Sequence, residues 1–98
     1  MKTLNIPSKY RNDIETAVTC LKNEGCSDVY LFGSIVTGKN HDTSDIDIGV
    51  KGLPAKKFIR TYSILSSRLS NKIDLVDFDT NAAFFELLKS LEEVQKIG

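Results

Sequence analysis

"LFGSIVTGKN", residues 31–40, holds two overlapping glycine-led patterns. Gly33 and Gly38 followed by Lys39 approach the G-x-x-x-x-G-K-[ST] phosphate loop. Gly33-Ser34, with "SDIDI" at residues 44–48 close behind, spells a different one. In a loop of the first kind a Ser or Thr follows the lysine, because its hydroxyl ligates magnesium, and the loop opens directly into a helix whose N-terminus faces the phosphates. Here Asn40 follows Lys39, and the chain continues through the polar "HDTS" into alternating "DIDI". The first pattern fails in chemistry and in context. The second consists of Gly33-Ser34 at the end of an apolar run, ten intervening residues, and then Asp45-x-Asp47.

The flanking periodicities give this pair a scaffold. "DVYLF", residues 28–32, is β-branched and aromatic and runs into Gly33, so it reads as a buried strand. A short helical turn is expected at 34–37. "DIDIGV", residues 45–50, has the two-residue period of a strand with isoleucines on one face and carboxylates on the other. Upstream, Ile14, Ala17, Val18 and Leu21 recur at helical spacing between Pro7-Ser8 and Gly25, which predicts a helix over 8–24. Downstream, Phe58, Tyr62, Leu65 and Leu69 mark a helix after Pro54, and "KIDLVDF", residues 72–78, reads as another strand. A last helix is expected over 81–96, with Phe84, Leu87, Leu88 and Leu91 on its buried stripe. The order α-β-β-α-β-α predicts a small α/β (α+β) domain, a mixed sheet with helices packed on it, spanning residues 1–98 as one unit.

Composition narrows the function. Thirteen basic and thirteen acidic residues cancel, so no net positive field favours a polynucleotide partner. Cys20 and Cys26 match no usual metal or redox spacing and read as reduced thiols. No apolar run approaches the ~18 residues of a membrane span, and "MKTLNIPSKY" has no signal-like apolar stretch, so the cytoplasm is the expected compartment. A chain of 98 residues can line one ligand cleft but has little left for a second lobe, so an acceptor would have to be presented by something else.

The chemistry concentrates on a few side chains. Gly33 allows close backbone approach to a triphosphate, and Ser34 can offer its hydroxyl and amide to phosphate oxygens. Asp45 and Asp47 are two apart on a strand, so both point to one side while Ile46 and Ile48 point to the other. Paired hard oxygen ligands suit Mg²⁺. A third carboxylate would let a second ion bind and activate a hydroxyl. Asp74 and Asp77 lie on opposite faces of their strand, and local patterning alone leaves open which of them faces the cleft. A calcium loop is a poor match, because Gly49 and Lys56 stand where acids would be needed.

Strand, "GSIVTG", "SDIDI", helix and "KIDLVDF" together resemble the minimal nucleotidyltransferases (MNT) of the DNA polymerase β-like nucleotidyltransferase superfamily. The resemblance implies a polymerase β-like palm fold, ATP and two Mg²⁺ ions, with Asp45, Asp47 and Asp74 as metal-binding catalytic acids and Gly33 and Ser34 on the nucleotide. It places the third acid at the first Asp of a "DLV" motif, which is Asp74, with Asp77 as the fallback. It further implies an antitoxin that pairs with a HEPN-domain toxin and AMPylates it on tyrosine; the alternative is an antitoxin that neutralises by binding alone. Two departures stand out. Many relatives carry arginines where this chain has Ile35, Val36 and Thr37, and relatives often continue beyond the position of Gly98 into a short final strand.

Other features have plainer readings. His41 and Lys39 belong to a solvated loop, and Cys20 is a small packing residue in a helix. Tyr62 and the Phe84-Phe85 pair are expected in the core, with one phenylalanine of the pair free to join an interface. If Gly33-Ser34 is the phosphate grip, Ser34→Ala weakens ATP binding about tenfold or more, by loss of a hydrogen bond to a charged group. Lys39→Ala changes it by less than about fivefold, because an exposed loop charge is screened. Calorimetric titration with ATP and Mg²⁺ reads both; the reverse ranking would restore the Gly38-Lys39 loop.

Overall fold

The computed structural model describes residues 6–39 and 45–98; His41 and the rest of 40–44 lie outside the described residues. Helix α1, Ser8–Asn23, leads into strand β1, Asp28–Phe32, and the one-turn helix α2, Ser34–Thr37. Strand β2, Ile46–Lys51, is followed by a 3-10 turn at Ala55–Lys57, helix α3, Phe58–Arg68, and strand β3, Ile73–Asp77. Helix α4, Ala82–Ser90, and strand β4, Val94–Lys96, complete the chain.

The sheet has the order β3-β2-β1-β4. β1 runs antiparallel to β2 and β4, and β2 runs parallel to β3. A parallel pair needs a crossover, which α3 supplies. Because β1 ends where β2 begins, Gly33, Asp47 and the start of β3 are brought to one end of the sheet.

Strand alternation divides the residues between two faces. On one, Val29, Leu31, Ile46, Ile48, Val50, Ile73 and Leu75 pack with Ile14, Ala17 and Leu21 of α1 and Leu65 of α3. Leu31 and Ile48 are directly paired across β1 and β2 and fully buried, each contributing about 2 kcal/mol of burial. On the other face lies a smaller aromatic cluster of Phe32, Phe78 and Phe85 with Leu88, edged by Tyr30, Val76 and Val94.

Three expectations for the helices need correction. The last helix stops at Ser90 rather than Lys96, and the short final strand lies within the chain, as Val94–Lys96 beside β1. Glu92, at φ 56°, makes the turn between them, with no Gly or Pro to announce it. On α4 the buried residues are Phe85 and Leu88, whereas Phe84, Leu87 and Leu91 face outward. Both sets have helical spacing, so periodicity could not choose between them. Tyr62, expected in the core, is 40% exposed; Thr61 and Leu65 carry the buried face of α3.

The two faces are closed by different means. A Cβ added at Gly49 would overlap the Phe78 ring, which lies directly on this position. Gly49→Ala should therefore destabilise the fold by about 2 kcal/mol through overpacking. Chemical denaturation of Gly49→Ala, alone and with Phe78→Leu, measures it; the double variant should cost less than the sum of the singles.

Candidate nucleotide and metal site

Asp47 is the centre of the site. It pairs with Phe32 across β1 and with Asp74 across β3, so Asp47 and Asp74 sit side by side on the aromatic face of the sheet. Asp74 is exposed and Asp47 only partly so. Asp45, two residues earlier, is exposed at the mouth of the same end. Asp77 pairs with Val50 and so belongs to the opposite face. Its carboxylate accepts from the Asp79 amide at 2.9 Å, closing the turn after β3. The parallel register thus separates the two candidate third acids, which the strand's own pattern left open.

Gly33 shapes the surroundings of Asp47 directly. Its φ of 78° is left-handed, and a Cβ there would overlap the Asp47 carboxylate oxygen. The turn therefore passes close over Asp47, and α2 begins at Ser34 immediately afterwards. The amides of Val36 and Thr37 are used internally, donating to the Gly33 carbonyl at 3.1 Å each. The left-handed Gly38, at φ 79°, ends the turn, and Lys39 beyond it is exposed.

Electrostatics distinguish Asp47 from an ordinary surface acid. Burial first, then the Asp74 carboxylate, then that of Asp45, push the Asp47 carboxyl up from 3.8 to about 6. Negative charge is crowded in a partly desolvated place, which a bound cation would relieve. Among the described residues no three His, Cys, Asp or Glu side chains stand together as a complete metal cage. The Asp47–Asp74 pair instead fits an ion held by one or two carboxylates and completed by substrate phosphates.

The approach to β3 is held by a residue that pattern reading overlooked. Asp13 of α1, 4% exposed, accepts from the amides of Ser70 and Asn71 at 3.0 and 2.8 Å and from the Asn71 side-chain amide at 2.9 Å. Burial alone would raise its pKa; these hydrogen bonds outweigh it and hold the carboxyl below its ordinary value. The available signal was an acid placed within the apolar stripe of α1. Beyond the turn, the Lys72 carbonyl accepts from Ile46 at 2.9 Å, which aligns the starts of β2 and β3.

The polymerase beta nucleotidyltransferase family model matches residues 15–95. The chain belongs to this family. A toxin–antitoxin crystal structure with AMP-PNP contains a chain 26% identical to it, at a TM-score of 0.66, over 92% of this nucleotidyltransferase and 72% of that chain. An MntA–HepT toxin–antitoxin structure matches at 22% identity and a TM-score of 0.62, over 88% and 69%. The complex of a tri-AMPylated Shewanella oneidensis HEPN toxin with an MNT antitoxin matches at 22% and 0.60, over 90% and 70%. These last two likenesses concern the fold. No curated protein matches the chain. Among the described residues of this nucleotidyltransferase, no helix is long and apolar enough to cross a membrane.

The raised Asp47 pKa has a consequence for the metal-free protein. An acid whose folded pKa exceeds its unfolded value destabilises the fold when ionised; this cost is full above the folded pKa and vanishes below the unfolded one. Asp47 is partly exposed, so solvent screening leaves on the order of 1 kcal/mol. Asp47→Asn should therefore be more stable than the parent chain by that amount at about pH 7.5, with the advantage gone by about pH 4. Urea denaturation in chelator reads the difference; an Asn variant less stable at neutral pH would contradict the crowding.

Proposed function

We propose that this nucleotidyltransferase is Mg²⁺-dependent, moves AMP from ATP onto a tyrosine hydroxyl of a HEPN-domain toxin, and so acts in the cytoplasm as that toxin's antitoxin. The observation that carries this reading is the register pairing of Asp47 with Asp74 beneath the Gly33 turn. The toxin–antitoxin structure with AMP-PNP and the AMPylated toxin in the MNT complex support it as analogies of partner and product.

Asp45 and Asp47 would hold the ion on the triphosphate, and with Asp74 they would hold a second one. Magnesium bound there supplies positive charge to the triphosphate oxygens and the entering hydroxyl. Gly33 and Ser34 bind the terminal phosphates and orient the leaving pyrophosphate. Asp74, the most open member of the register pair, accepts the hydroxyl proton and passes it to solvent. Phe32, 7% exposed and paired with Asp47, excludes water from the inner side of the site.

A second reading, neutralisation by binding alone, is favoured by one feature: Ile35, Val36 and Thr37 bring no cation to the phosphates. Intact-mass measurement separates the two. The HEPN partner incubated with this chain, ATP and Mg²⁺ should gain AMP units, and Asp45→Asn or Asp74→Asn should lower the rate by more than about a hundredfold. Asp77→Asn should retain it. A tight, silenced complex that never gains mass would establish the binding-only antitoxin.

A further inference from the structure

The side of the site away from Ser34 is not a flat surface. A groove of about 390 Å³ lies between the C-terminal half of α3 and the turn into β3, lined by Tyr62, Ser66, Leu69 and Lys72 together with the exposed acids Asp45 and Asp74. Tyr62, Ser66 and Leu69 follow one another at helical spacing and form one wall. The opposite side includes Ser70 and Asn71, the two residues held by the buried Asp13 carboxylate. Its shape is thus braced from within the core.

We propose that this groove binds the acceptor side chain itself, a phenol presented by a partner protein, with Tyr62 as the residue that selects it. The inference rests on the transferase reading above and deepens it. In-line displacement places entering and leaving groups on opposite sides of the α-phosphorus. β1, which carries Gly33 and Ser34 at its end, flanks β2 on one side, and β3 flanks it on the other. With the leaving pyrophosphate at Ser34, the entering oxygen comes from the β3 side, where the groove opens.

The groove's size and chemistry fit that guest. Its volume lies near the lower end of ligand cavities, roughly 300–1,000 Å³, which suits one side chain and its flanking backbone. Tyr62 offers a 40%-exposed aromatic surface for an offset ring contact, and Leu69 adds an apolar flank. Asp74, on the groove's lining, meets the hydroxyl. The phenolic oxygen forms the new bond to the α-phosphorus, and the bond to the α,β-bridging oxygen breaks. Pyrophosphate departs with that electron pair, and the phenolic proton passes through the Asp74 carboxylate to solvent.

Steady-state AMP transfer to the HEPN partner, read by intact mass with full-length chain, ATP and Mg²⁺, tests the groove. Tyr62→Ala should raise KM for the partner about tenfold, the loss of one aromatic contact, and leave KM for ATP unchanged; Tyr62→Phe should restore it. Ser66→Arg, which fills the groove from an exposed position, should raise the same constant. An unchanged partner KM in both Tyr62→Ala and Ser66→Arg overturns the groove while the transferase reading stands. So does a rise in KM for ATP instead, which would assign the groove to the nucleobase. A parent chain that adds no AMP overturns both.

Discussion

The Asp47 carboxylate is held where a negative charge is costly, pressed against the backbone of Gly33 and beside Asp74. Most of the architecture serves to keep it there. Ile46 and Ile48, fully buried on the opposite face, anchor β2 and prevent the strand from turning its acids into the core. A one-residue slip would exchange the two faces, placing carboxylates in the apolar core at several kcal/mol each, of order what a buried unpaired ion costs. The fold therefore tolerates the repulsion because its alternative registers are worse.

Each neighbouring element secures one part of this arrangement. The left-handed turn at Gly33 brings α2 over the acid without a side chain in the way. Asp13 ties α1 to the turn before β3, and the Ile46–Lys72 backbone hydrogen bond then aligns β2 with β3. On the aromatic face, Phe84 stands edge-on to Phe32 at 5.7 Å, and Phe32 is the cross-strand partner of Asp47. The aromatic cluster and the acids thus share one surface, with α4 as its lid at one side and the groove beside α3 at the other.

The elements legible from sequence were those with local causes. β1, α2 and most of α1 follow from apolar periodicity and from glycine and proline punctuation, and the Gly33-Ser34 and Asp45-x-Asp47 spacing pointed to nucleotide chemistry. What depended on contacts between distant residues was not legible. The pairing of Val94–Lys96 with β1 has no local signature in "VQK", whose residues are compatible with a continuing helix. Alternation alone could not separate Asp74 from Asp77, because it states that they differ without saying which meets the acids of β2; the resemblance favoured Asp74, and the β2–β3 register puts Asp74 beside Asp47. Tyr62 and Phe84 have the spacing of core residues, yet neighbouring positions on each helix meet the sheet first.

The central claim is that the acids on the aromatic face, capped by the Gly33 turn, form one site for metal and triphosphate. A crystal structure of the chain with Mg²⁺ and a non-hydrolysable ATP analogue tests it most directly. The account predicts a cation in contact with Asp47 and shared with the triphosphate, Asp74 beside it, and the terminal phosphates on Gly33 and Ser34. Triphosphate seated on Gly38 and Lys39, or a cation held by Asp77 on the opposite face, would contradict it.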